Sequence, residues 1–269
     1  MRRLLHARFA ILLALLIAAP AHARIIKTRR PQPVHPGLGL VVGSGFEYQS
    51  DGDEQEYGFP FLLEWAVTPR LQLTVEPVHI TITSKRGPSI RGFDDLETAL
   101  SLDVWSERRR RPAVSIEGGV KWPTATDSSI GTGVTEFSLG LLLSKDLILT
   151  ELGLNVVYAQ VGVPRTGLVQ NTVQISASSE WPLGPDLSLT SELLTTQGVG
   201  RRRGTALDPS APAGSGFNVP GGGMGEWEAT LGIARSFGRR LKAEPGFILQ
   251  TDGTWQAVFA WEWDFGDGR

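Results

Sequence analysis

Alternation with a period of two runs through most of this chain. From Leu38 onward, stretches with an apolar side chain at every second position are separated by connections rich in Gly, Pro, Asp, Ser or Arg. In residues 93–105, Leu96, Leu100, Leu102 and Val104 share one face, and Glu97, Ala99, Ser101 and Asp103 share the other. In 112–122, Val114, Ile116, Val120 and Trp122 oppose Ser115, Glu117 and Lys121; in 134–144, Phe137, Leu139, Leu141 and Leu143 oppose Glu136 and Ser138. Successive side chains of a strand point to opposite faces, so the pattern predicts strands with one oily and one polar face. No sustained i, i+3, i+4, i+7 stripe competes with it. Twelve runs are read, at 38–48, 57–68, 71–83, 93–105, 112–122, 134–144, 147–160, 172–182, 187–196, 225–237, 241–250 and 255–265. Each meets the length of about 9–11 residues that a tilted strand needs to cross a bilayer.

Alternation alone does not separate a soluble sandwich from a membrane barrel. Connection length, aromatic placement and the polar face do. Tight links at Pro69-Arg70, Lys145-Asp146, Gly184-Pro185-Asp186 and Gly238-Arg239-Arg240 alternate with longer ones, the largest being 197–224. Tyr48, Tyr57, Trp122, Tyr158, Trp227 and Trp255 fall at one set of strand ends, and Trp65, Trp105, Trp181, Trp261, Trp263 and Phe265 at the other. Two aromatic bands fit rings that prefer the headgroup layers. Every run carries a glutamate on its polar face: Glu47, Glu64, Glu76, Glu97, Glu117, Glu136, Glu151, Glu180, Glu192, Glu228, Glu244 and Glu262. Facing hydrocarbon, a charge costs up to about 2–4 kcal/mol, so these carboxylates are expected to line a lumen. The fold predicted is an all-β, closed antiparallel transmembrane barrel of twelve strands. Both termini are placed in the periplasm, with short turns there and longer extracellular loops.

The first residues give the compartment. Arg2, Arg3 and Arg8 precede an apolar run from Phe9 to Ala19, followed by Pro20 and the small-residue pattern Ala21-His22-Ala23. This has the form of a secretory signal peptide, residues 1–23, cleaved after Ala23. Residues 24–37, with four basic residues and three prolines, read as a periplasmic lead-in, and 38–269 as an outer-membrane barrel. The net charge of −2 gives no reason to expect nucleic acid. With no cysteine, thiol chemistry and Cys-ligated zinc are excluded.

Residues 118–147, GGVKWPTATDSSIGTGVTEFSLGLLLSKDL, carry a resemblance. Through Lys121, Pro123, Thr124, Gly131, Gly133, Ser144 and Lys145 the segment resembles the outer-membrane family labelled "MetA-pathway of phenol degradation". That resemblance implies a signal-bearing barrel and transport. The last strand also resembles the C-terminal signal read by barrel-assembly machinery, although Gly266 to Arg269 follow its aromatics.

Other groups are weighed for chemistry. Asp264-Phe265-Gly266 spells a kinase metal-binding motif, but no Gly-rich nucleotide loop or H-R-D accompanies it. Gly131-Thr132-Gly133 could cradle a phosphate, yet it opens a strand and lacks the following Gly-Lys, so a loop-to-strand hinge is expected. Asp51, Asp53, Glu54 and Glu56 place four carboxylates in the first outer loop without EF-hand spacing. No metal, cofactor or catalytic residue is assigned. His79, near Thr81, Thr83 and Ser84, suggests a lipid hydrolase as a minor alternative, lacking the expected serine elbow. Arg108 to Arg111 are expected to stop a strand and meet headgroups or solvent. Arg201, Arg202 and Arg203 are expected to open the longest loop, facing outer-membrane lipid such as lipopolysaccharide phosphates. With Lys121 and Lys242 the clearest inward cations, the lumen is expected to be acidic and cation-preferring. The functional expectation is passive passage of small molecules, with apolar or aromatic ones suggested by the family label. A structural or adhesive barrel with a closed lumen is the alternative.

Overall fold

The computed structural model describes residues 39–50, 54–84, 89–127, 130–162, 167–205, 226–238 and 240–265. The proposed signal peptide and lead-in lie outside them, as do Asp51 and Asp53 and loop residues 206–225. All regular structure described is strand: β1 (Leu40–Ser50), β2 (Glu54–Thr68), β3 (Leu71–Glu76), β4 (Val78–Ser84), β5 (Ile90–Phe93), β6 (Leu96–Trp105), β7 (Ala113–Trp122) and β8 (Glu136–Asp146). The second half comprises β9 (Glu151–Val161), β10 (Gly167–Gly184), β11 (Leu187–Thr205), β12 (Glu226–Phe237), β13 (Leu241–Gln250) and β14 (Trp255–Asp264).

Two of the twelve crossings are interrupted. Pro77 has no N–H to give the ladder and splits β3 from β4. Pairing with β2 nevertheless continues through the Phe61 N–H, which donates to the Pro77 carbonyl at 2.9 Å. Asp94 and Asp95 separate β5 from β6, again within one continuous path, since the Asp94 N–H reaches the Val78 carbonyl at 2.9 Å. Merging these pairs gives the predicted twelve strands, each antiparallel to its neighbours. β1 pairs with β14 along Val41–Ser50 and with β2 at both ends, closing the sheet on itself. Closure joins the two ends of the sheet, so that their backbone edges do not both lie open to hydrocarbon.

The distribution of side chains is inverted relative to a water-soluble domain. Outward positions are large and apolar: Leu139 is 61% exposed, Phe247 60% and Leu231 57%. Inward positions hold shielded polar groups, among them Ser115, Thr74, Thr190 and Gln256. Water around such a molecule would meet oil, so hydrocarbon is the solvent that fits its exterior. The aromatics form two outward bands. At the loop end, Tyr48 stacks on Tyr57 and Trp255 with centroids 5.3 and 5.7 Å apart. The Trp122 indole there donates to Thr98 Oγ1 at 2.9 Å. At the other end, Trp263 meets Phe265 at 6.2 Å, and the Trp181 indole donates to Ser179 Oγ at 2.9 Å.

Several boundaries differ from the sequence reading. β8 continues through Lys145 and Asp146, so the turn falls at Leu147–Thr150 and β9 starts at Glu151. The reason is that Lys145 and Asp146 still pair with Leu152 and Glu151. β10 and β11 are longer than expected, a hairpin reaching Gly167 and Thr205. Arg201, Arg202 and Arg203 therefore belong to a paired strand and do not open the loop; Arg203 pairs with Val169. Glu54 and Glu56 likewise belong to β2, and Glu56 is buried rather than loop-exposed.

Candidate functional site: the inward face and its strap

Cross-strand partners share a face, so the register fixes the inward set. Glu64 pairs with Thr74, Glu76 with Glu97, Glu117 with Gly140 and Glu136 with Lys121. Glu151 pairs with Glu180, Glu192 with Thr230, Glu228 with Gln250, Glu244 with Ala260, and Glu262 with Lys242. Glu47 lies opposite Val258 in the same inward phase. Glu64, Glu117, Glu192 and Glu244 are buried. Hydroxyls serve two of them: Ser101 Oγ donates to Glu117 at 2.5 Å, and Thr190 Oγ1 to Glu244 at 2.6 Å. Ser115 Oγ donates to Asp103 in the same manner at 2.5 Å. Direct pairing puts Ser101 beside Glu117 and Ser115 beside Asp103, and Thr190 reaches Glu244 across Gly232 of β12, which offsets part of the desolvation of these three carboxylates.

The two inward lysines are claimed by carboxylates. Lys121 Nζ lies 4.0 Å from Glu97 and 3.9 Å from Glu136, with its side chain 11% exposed. Lys242 Nζ lies 3.5 Å from Glu180. Across the closing seam, Gln256 Nε2 donates to Gln49 Oε1 at 2.7 Å.

The sequence reading missed an element at the loop end. The segment after β7 returns over the β4–β5 hairpin in place of standing clear of it. The Thr126 N–H donates to the Phe93 carbonyl at 2.9 Å, and the Phe93 N–H donates to Thr126 Oγ1 at 2.9 Å, covering the free edge of β5. Ile130 then packs on Ile80 and Ile82, the inward residues of β4, and is itself 2% exposed. Gly92 opposite Ile80 is required here, since a Cβ would lie 1.8 Å from Thr126 Oγ1.

Asp95 staples this strap. Buried to 2% exposure, its Oδ1 accepts the Ala125 N–H at 3.0 Å. Its Oδ2 accepts the Thr132 N–H at 2.8 Å and the Thr132 hydroxyl at 2.9 Å. One carboxylate therefore holds both the outgoing and the returning limb. Gly131 lies against it so closely that a Cβ would come 2.2 Å from Ala125 Cβ and 2.8 Å from Asp95 Oδ1. Within Gly131-Thr132-Gly133, which resembles an anion cradle, the Thr132 amide does meet an anion, but it is the chain's own Asp95. The available signal was the odd spacing between Phe93 and Leu96, both outward, which requires an irregularity at the two aspartates.

The remaining candidates are placed as follows. His79 faces outward between Phe59 and Phe93, with centroids at 6.3 and 5.2 Å. Thr81 shares its outward phase, and the Thr83 and Ser84 side chains lie outside the described residues. Asp264 ends β14 opposite Val41, and Phe265 is exposed. Trp65, Trp105, Trp122, Trp181, Trp227, Trp255 and Tyr158 are exposed on the outer face. A groove of about 960 Å³ also lies on the outer wall, between Leu193, Leu231, Phe247, Leu249 and Trp255.

Comparison with known proteins separates fold from sequence. No family model and no curated protein matches the sequence. In three dimensions the chain resembles an outer membrane channel from Pseudomonas putida F1, with TM-score 0.67 at 11% identity, over 89% of this chain and 100% of that one. It also resembles the KdgM porin, with TM-score 0.56, 7% identity and coverage of 84% and 99%. The NanC porin gives TM-score 0.55 at 9% identity, covering 83% and 98%. The shared property is the closed barrel of outer-membrane proteins.

Proposed function

We propose that this chain is an outer-membrane channel for small molecules, with its short-turn end in the periplasm and an acidic, cation-preferring lumen. The observation that carries this reading is the charge of the inward face. Carboxylates come from every crossing, while Lys121 and Lys242 are already paired with Glu97, Glu136 and Glu180. In a confined passage of low effective dielectric, such an excess attracts cations and repels anions. The structural likeness to channels and porins supports passage as the role. The resemblance of residues 118–147 to a phenol-degradation family supports apolar or aromatic cargo, and it rests on those residues alone.

Planar-bilayer recording in a salt gradient tests the reading, with a reversal potential toward the cation's equilibrium value expected. Anion preference would overturn the lumen assignment. A second reading is favoured by one observation: inward Leu142, Thr74 and Ser115 are shielded almost completely from solvent. A barrel closed throughout its length, acting structurally, would pass no current and would not swell liposomes in sugars or aromatic acids.

A further inference from the structure

Two neighbouring turns at the short-turn rim carry complementary surface chemistry. The β6–β7 turn closes through reciprocal backbone bonds between Arg108 and Arg111, at 3.1 and 2.9 Å, which puts Arg109 and Arg110 at its tip. All four arginines are exposed. The β8–β9 turn closes where the Leu147 N–H donates to the Thr150 carbonyl at 2.8 Å. Its tip is apolar and bare: Ile148 is 100% exposed and Leu149 71%. Turn tips in water favour Gly, Asn, Asp and Ser, so an Ile-Leu tip is out of place there.

The turns form one unit. Lys145 Nζ pairs with the Glu107 carboxylate, which also accepts the Asp146 N–H at 3.0 Å. Glu107 is thereby committed, and the guanidinium groups beside it take part in none of the ion pairs formed among the described residues. Depth can be judged from the register. Glu151 pairs with Glu180, so Thr150 sits beside the exposed ring of Trp181 in the lower aromatic band, within the roughly 3 Å axial offset that a strand spacing of about 4.8 Å and a tilt near 40° give neighbouring strands. Ile148 stands two residues beyond, roughly 5 Å along the barrel axis for a rise of about 3.3 Å per residue and a tilt near 40°. The headgroup layer is about 5–7 Å deep on each side. The apolar tip therefore reaches this layer, and the arginine turn is tied beside it through Glu107.

We propose that this paired rim binds anionic phospholipid of the inner leaflet. Arg108–Arg111 grip the phosphate, and Ile148 with Leu149 packs against the glycerol and upper acyl region. Guanidinium groups suit phosphate because their planar fork matches its oxygens, and the apolar tip continues the oily belt of Val104, Trp105 and Leu152. The inference rests on the membrane reading above but not on passage through the lumen.

The test places the full chain in nanodiscs of equimolar phosphatidylglycerol and phosphatidylcholine and counts retained lipids by native mass spectrometry. Wild type is expected to retain phosphatidylglycerol at least about fivefold over phosphatidylcholine, the effect of a single surface arginine. Replacing Arg108 to Arg111 with serine brings the ratio to parity. Arg109→Lys with Arg110→Lys keeps part of the enrichment. Ile148→Ser with Leu149→Ser lowers retention of both lipids and keeps the ratio. Parity in wild type, or unchanged enrichment in the serine variant, would overturn the proposal. So would a photo-crosslinker at position 148 that labels a periplasmic protein and no lipid in cells. Failure of the chain to enter nanodiscs at all would count against the membrane reading, a distinguishable result.

Discussion

Asp95→Ala removes three hydrogen bonds at once, from the Ala125 N–H, the Thr132 N–H and the Thr132 hydroxyl. Bonds to a charged group contribute about 1.5–3 kcal/mol each, which sets a ceiling of roughly 4.5–9 kcal/mol. The real loss is smaller, because Ala125 and Thr132 are only half-buried and water can solvate the freed amides. A loosening of about 2–4 kcal/mol for the strap alone is expected, since the β-ladders on either side are untouched. Converted at about 1.4 kcal/mol per decade, that is a roughly 30- to 1000-fold faster amide exchange at Ala125 and Thr132. Hydrogen-exchange mass spectrometry or NMR in detergent micelles reads it directly, with β7 and β8 amides as internal controls. Asp95→Asn, which keeps one acceptor oxygen, should fall between. Exchange at both amides within about threefold of wild type in Asp95→Ala would refute the staple.

Other substitutions probe the same architecture. Gly131→Ala forces a Cβ against Ala125 and Asp95 and should cost about 1–3 kcal/mol, seen as protease sensitivity of the strap in folded protein. Ile130→Ala removes the side chain seated on Ile80 and Ile82 and should cost about 2–4 kcal/mol of strap stability by the same exchange assay. Phe247→Arg puts a charge on the outer face and should lower folding stability in phosphatidylcholine vesicles by up to about 2–4 kcal/mol in urea titration. Lys121→Met leaves Glu97 and Glu136 without their shared cation and should move the reversal potential further toward the cation's, if the lumen conducts.

Much of this barrel was legible in the sequence. Period-two alternation fixed which side chains of β6, β7 and β8 face out, because a strand has no freedom to rotate one residue without moving all the rest. It also fixed the number of crossings and the two aromatic bands. Local pairing set limits the pattern could not show: Lys145 and Asp146 look like turn residues yet remain in β8, and Arg201 to Arg203 look like loop yet lie within β11, where Arg203 pairs with Val169. The strap was invisible for a deeper reason. Asp95 and Thr132 are far apart in sequence, and nothing in either local pattern says that one carboxylate will receive two distant limbs. Alternation is a property of one strand and can be read from it. The bonds from Asp95 exist only once the pairing of β6 with β7 has set the two aspartates beside the segment that follows β7.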